Sequence, residues 1–201
     1  MNQLPLNHNT ILTGLLSVSA LVMLVFWALI PEASGLAILA YTCGLAVVGI
    51  SLWYLVPGSE LDFWWGGGAG AAIVVLAIIT TYWIPIDDLA RLIADCVFIA
   101  AAAVFRGSWS AGLRVGWTAW MVSSWGLALI FLTGFRTPWM ATQLDFSGTV
   151  DRFRDSSAIS FWPWAVSDLW GGFLFRVFLD GALGAFGGFL PRLWAQILAR
   201  R

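Results

Sequence analysis

The sequence predicts an all-α protein, a polytopic transmembrane helical bundle that forms a single integral membrane domain over residues 1–201. Three observations lead there. Hydrophobic residues make up 60% of the chain and charged residues only 10%, with a mean hydropathy of +0.86, a balance foreign to water-soluble domains. Apolar runs recur along the chain, each close to the ~20 residues a helix needs to cross a bilayer. The connections between most of them are turn-sized, so consecutive helices are expected to be antiparallel neighbours.

Taken in order, the expected spans are Thr10–Ile30, Gly35–Val56, Trp64–Ile84, Leu89–Phe105, Val115–Phe135 and Leu169–Leu190. The first has no basic stretch ahead of it and is longer than the apolar part of a cleaved signal, so it reads as a retained signal anchor. Proline opens the connections Pro31–Ser34, Pro57–Phe63 and Pro85–Asp88, as expected where a helix must stop. The fourth connection is Arg106–Arg114. The sixth span is less purely apolar, and five spans followed by an interfacial C-terminal helix is the alternative topology.

Residues 136–168 are too polar to cross and too few to hold a core, and read as an extracytoplasmic amphipathic loop. On it, Arg152, Arg154, Trp162 and Trp164 are expected to contact the interface or an extracytoplasmic partner. Orientation follows from the arginines: Arg106 and Arg114 flank one connection, and Arg192, Arg200 and Arg201 follow the last span. By the positive-inside rule both sites face the cytoplasm, which puts both termini there and fits a bacterial inner membrane.

Composition removes several function classes. All ten basic residues are arginine, so no lysine exists for a Schiff base or a phosphate-binding loop. His8 is the only histidine, which leaves no ligand pair for haem or an intramembrane metal. The net charge of −1 and pI near 5.6 give no basic surface for nucleic acid. Cys43 and Cys96, without a CxxC spacing, read as buried free thiols. The serines of Gly107–Gly112 do not form GxSxG, so no serine hydrolase is expected. The chain alone implies no cofactor, although a bound lipid, quinone or pigment is compatible with its composition, and the reading leans away from an enzyme.

Small residues recur at helical spacing. Gly66 and Gly70 lie four apart, as do Gly184 and Gly188, a pattern that lets helix backbones approach closely. As letters Gly66, Gly68 and Ala71 also match a dinucleotide fingerprint, but no strand precedes them. The chain is rich in tryptophan, with fourteen residues that mostly fall at span ends as an interfacial belt. Trp120 and Trp125 lie inside the fifth span and are expected to line a groove for a partner helix, lipid or pigment.

Charges inside the bilayer are the sharpest functional signal, because each costs about 2.5–3.5 kcal/mol on insertion scales. Asp88, Arg91 and Asp95 occupy one face of the fourth span at i, i+3 and i+7. Arg176 and Asp180 are four apart in the last span. Together these five residues form an expected intramembrane charge network. It is either a clamp between helices or a proton or ion path through Asp95.

The stretch Ile86-Asp87-Asp88-Leu89-Ala90-Arg91-Leu92, following Trp83, resembles the acidic-acidic-Leu-Ala-Arg segment of small membrane subunits of tripartite periplasmic (TRAP) transporters. The resemblance implies a small-permease role in transport. Without it, the residues favour a non-catalytic integral membrane subunit that stabilises a larger transport or energy-converting complex, with other integral subunits and lipids as partners. The alternative is a small ion- or proton-coupled transporter or channel.

Overall fold

A computed structural model of the chain describes residues 7–29, 44–52, 56, 58–84, 86, 88–134 and 149–199. Among them the regular structure is entirely helical: α1 (His8–Leu29), a helical stretch at 44–52 that we label α2, α3 (Glu60–Tyr82), α4 (Asp88–Val104), α5 (Trp109–Gly134), the short α6 (Thr149–Arg154) and α7 (Phe161–Leu198). Three stretches, His8–Val25, Glu60–Thr80 and Gly171–Leu198, are long and apolar enough to cross a membrane. The described residues therefore form an all-helical fold with three helices long and apolar enough to span a membrane. Of the expected span 35–56, only 44–52 and 56 lie within the described residues.

Local chemistry explains where the helices begin. The Asn7 side chain accepts a hydrogen bond from the Asn9 N–H at 3.3 Å at the start of α1, satisfying a backbone donor that has no intrahelical partner. Ser59 precedes α3, and its N–H donates to Asp62 Oδ2 at 3.1 Å, one half of a capping box. Between α4 and α5 the chain reverses through Gly107 at φ +64°, a left-handed conformation suited to glycine. Ser108 then accepts from the Ala111 N–H at 3.2 Å and opens α5.

Three helices start well before the apolar runs indicate, the first being α3, which begins at Glu60 and not Trp64. Helix α5 begins at Trp109, so Arg114 sits in its second turn and not in a connection; the Asp62 carboxylate neutralises it there. Helix α7 spans 38 residues, about 57 Å at 1.5 Å per residue, and takes in the segment 161–168 that reads as loop in the sequence. Pro163 does not prevent this, because it lies in the first turn, where its missing N–H is not needed.

The core centres on α5. Val115, Ala119, Trp120, Met121 and Ala128 are fully buried, and α5 packs against α7, α3, α4 and α1. Glycines set these approaches. A Cβ on Gly112 would overlap the Gly184 carbonyl, and one on Gly116 would overlap the Asp180 carbonyl, so α5 and α7 touch backbone to backbone. Gly66 lies against the Val115 carbonyl and Thr118, and Gly70 against the Ala119 carbonyl and Val122, which closes α3 onto α5. Such contacts replace the hydrophobic driving force that lipid cannot supply. Outward faces carry Val75, Ile93, Val97, Phe175, Phe178 and Phe186, all exposed.

Candidate functional site

Helices α4, α5 and α7 bring charge together midway along the bundle. Arg176 on α7 lies 3.3 Å from Asp95 Oδ2 on α4 and 3.5 Å from Asp180 Oδ2 one turn further along α7. The side chains of Asp95 and Asp180 are 9% and 2% exposed. Asp180 is fixed from behind, since its carbonyl abuts Gly116. Contact is by charge more than by aligned hydrogen bonds: Asp95 Oδ1, Asp180 Oδ2 and the Arg176 Nε and NH2 atoms are buried without a hydrogen-bond partner. One guanidinium thus serves two carboxylates in a low-dielectric setting where unsatisfied groups are costly.

The expected network is only partly assembled in this way. Asp95, Arg176 and Asp180 meet, and Arg91 lies half-buried one turn from Asp95 on α4. Of Asp88 only the backbone, at the start of α4, lies within the described residues. Cys96, next to Asp95, is a half-buried free thiol, and Cys43 falls outside the described residues.

A second charge cluster, which the sequence reading missed, closes the end of the bundle where α3 and α5 begin and α4 ends. Asp62 is fully buried. It accepts from Arg106 Nε at 2.6 Å and from Arg114 Nε at 2.7 Å, and Arg114 NH2 is 2.6 Å away. Arg106 also donates to Ser59 Oγ at 3.2 Å, and Arg114 to the Val56 carbonyl at 3.4 Å. Nearby, Arg192 of α7 donates to the Gly107 carbonyl at 3.1 Å. Sequence alone assigned Arg106 and Arg114 to topology; an acid just ahead of an apolar run was the available signal.

The tryptophans inside α5 bond to neighbouring helices. Trp120 is fully buried and its indole N–H donates to the Phe173 carbonyl of α7 at 2.7 Å. Trp117 donates to the Val177 carbonyl, one turn along, at 3.2 Å. Trp125 donates to Ser19 Oγ of α1 at 2.7 Å. Trp120 is therefore enclosed in the core and does not line an open groove: its N–H needs a partner once desolvated, and α7 supplies one. The packing glycines Gly66, Gly70, Gly184 and Gly188 all lie at close helix approaches, with Gly112 and Gly116 as their unforeseen counterparts.

Outside this frame, α6 folds onto the start of α7. Phe153 packs edge-on to Phe161 at 5.2 Å and against Trp164 at 5.5 Å. Arg154 pairs with Asp151 at 3.1 Å and Arg152 with Asp168 at 3.6 Å, all four side chains being largely exposed. The side chain of Trp162 lies outside the described residues. No group of His, Cys, Asp and Glu among the described residues could hold a metal ion. Comparison with family models, with characterised proteins and with solved structures gives no match, so the functional reading rests on this geometry.

Proposed function

We propose that this chain is a non-catalytic integral membrane subunit that stabilises a larger membrane assembly of transport or energy-converting type. The observation that carries this reading is Arg176, whose charge is taken up by Asp95 of α4 and Asp180 of its own helix. A charge spent between helices of one chain acts as a clamp, and the glycine contacts of α5 with α7 and α3 serve the same rigidity. In this proposal the chain crosses a bacterial inner membrane six times, with both termini and the Asp62 cluster on the cytoplasmic side. The segment 136–168 then faces outward, where it could meet an extracytoplasmic partner.

Gentle detergent extraction of the tagged chain from its native membrane, followed by native mass analysis and an absorption spectrum, tests this. Stoichiometric partner subunits are the expected result. A chain that purifies alone and moves a solute when reconstituted would overturn it.

One observation favours the second reading, a small ion- or proton-coupled transporter: the buried oxygens Asp95 Oδ1 and Asp180 Oδ2 have no hydrogen-bond partner, a place where a proton or small cation would be stabilised. For a transporter, Asp95→Asn in proteoliposomes abolishes gradient-driven uptake; for a scaffold it leaves partner binding intact.

A further inference from the structure

Helix α7 is longer than a membrane requires. Its apolar stretch Gly171–Leu198 counts 28 residues, about 42 Å at the helical rise against a hydrocarbon core of about 30 Å. The surplus of about 12 Å corresponds to roughly eight residues, the length of the segment from Pro191 to Leu198. Packing ends at the same place. Gly188 still lies against the Ser108 carbonyl ahead of α5, and Arg192 Nε donates to the Gly107 carbonyl at 3.1 Å, but every residue from Arg192 to Ala199 is exposed. Pro191 lies inside the helix at this boundary. It has no N–H for the Gly187 carbonyl, so the helix can bend there.

The surplus segment is amphipathic. Leu193, Trp194, Ile197 and Leu198 fall at i, i+1, i+4 and i+5 on one face, and they are 38%, 66%, 42% and 55% exposed. Arg192 and Gln196 fall four apart on the other face. Charge is one-sided as well: from Gly181 to Arg201 the sequence holds no acid and three arginines, Arg192, Arg200 and Arg201. Tryptophan and aliphatic residues opposite a basic face are the composition of helices that lie in the plane of an anionic membrane surface.

We propose that α7 bends at Pro191 after crossing the membrane, and that residues 192–198 lie on the membrane surface as an anchor for anionic lipid headgroups. Leu193, Trp194, Ile197 and Leu198 enter the interface, while Arg192 stays at the level of the phosphates. The inference rests on α7 being a span, and it holds whether the chain is a scaffold or a transporter. The sign of the segment selects the occupant. A zwitterionic surface would take up the apolar face alone, whereas an anionic one also answers a segment whose every charge is positive.

The test is site-directed spin labelling of the full chain in a Cys43→Ala, Cys96→Ala background, with one label at a time through Gln196→Cys, Ile197→Cys or Phe178→Cys. The protein is reconstituted into phosphatidylcholine vesicles with or without phosphatidylglycerol, and each label is probed with oxygen and with a water-soluble nickel complex. With phosphatidylglycerol present, position 197 is expected to respond to oxygen and position 196 to nickel. Arg192→Gln is expected to lower the ratio of surface-bound to free segment about fivefold, the effect of one basic residue near an anionic surface; omitting phosphatidylglycerol should lower it further. Trp194→Gln with Leu198→Gln should open both positions to nickel. Phe178, 73% exposed midway along α7, should respond to oxygen throughout. Nickel access at both 196 and 197 without those substitutions, with the Phe178 response intact, would overturn the proposal; loss of the Phe178 response would overturn the crossing on which it rests. Shielding of 196 and 197 from both reagents would assign the segment to a protein contact, and indifference to phosphatidylglycerol and to Arg192→Gln would remove the anionic headgroup. Either result overturns it.

Discussion

The two buried charge clusters hold the same ingredients, arginine and aspartate, but differ in how closely hydrogen bonds join them. At the α3–α5 end, one carboxylate serves two arginines, with donor distances of 2.6 and 2.7 Å and a further contact from Ser59. Midway along the bundle, Arg176 lies 3.3 and 3.5 Å from two carboxylates, Arg91 adds its charge one turn from Asp95, and oxygens on both acids lack hydrogen bonds. A carboxylate whose two oxygens both accept short charge-assisted bonds is fixed in place. Carboxylates with buried oxygens that accept no hydrogen bond leave capacity for a proton, a cation or a shift of the arginine. Burial is similar in the two; hydrogen bonding distinguishes a tight lock from a clamp that could also respond.

The largest effect should come from breaking the lock. Asp62→Ala removes the carboxylate that joins Arg106 and Arg114, and the expected loss is about 3–5 kcal/mol, the range for breaking a buried ion pair. Thermal or denaturant unfolding in detergent reads it, and a loss below 1 kcal/mol would make this cluster no more than a surface pair. Gly116→Val comes next. Its side chain would meet the Asp180 carbonyl and force α5 from α7, at a cost of about 3 kcal/mol for overpacking. That variant should also separate Arg176 from Asp95 while leaving Asp62, on the α3 side of α5, still paired. Crosslinking between α4 and α7 would show the separation.

The same contrast explains what could be read from the sequence. Helix α4 runs from Asp88 to Val104 where the sequence suggested a helix over 89–105, because Pro85 and Asp87-Asp88 precede a mostly apolar run that Arg106-Gly107 follow. The middle cluster was half legible: Arg176 and Asp180 are four apart on one helix, and Asp95 falls on the charged face of another. What no local spacing supplies is that the two faces meet. The end cluster was invisible for a stronger form of that reason, since Asp62 and Arg114 are 52 residues apart and each, taken locally, resembles an ordinary helix-end charge. Gly112 and Gly116 were missed although they repeat the four-residue spacing of Gly184 and Gly188. They lay beside Arg114, whose charge argued for a connection, and only its partner Asp62 makes a helix start there tolerable.

Asp95→Asn sharpens the comparison most directly, because it also removes one buried carboxylate. Arg176 would keep Asp180 as its ion pair, and the expected change is within about 1 kcal/mol and of either sign. The scale of the difference from Asp62→Ala is the prediction; equal losses at both sites would erase the distinction between lock and responsive site.

The smallest effect is expected where the same ions are exposed. Arg152 and Asp168 pair at 3.6 Å with side chains 57% and 43% exposed, so water screens both charges before and after the pair forms. Arg152→Gln should shift stability by less than about 0.5 kcal/mol and, unlike changes at Asp62, should lose even that at high salt. A larger, salt-resistant loss would mean that the start of α7 is buried in the working assembly. The α6–α7 corner would then belong with the two internal clusters, as a contact desolvated by a partner.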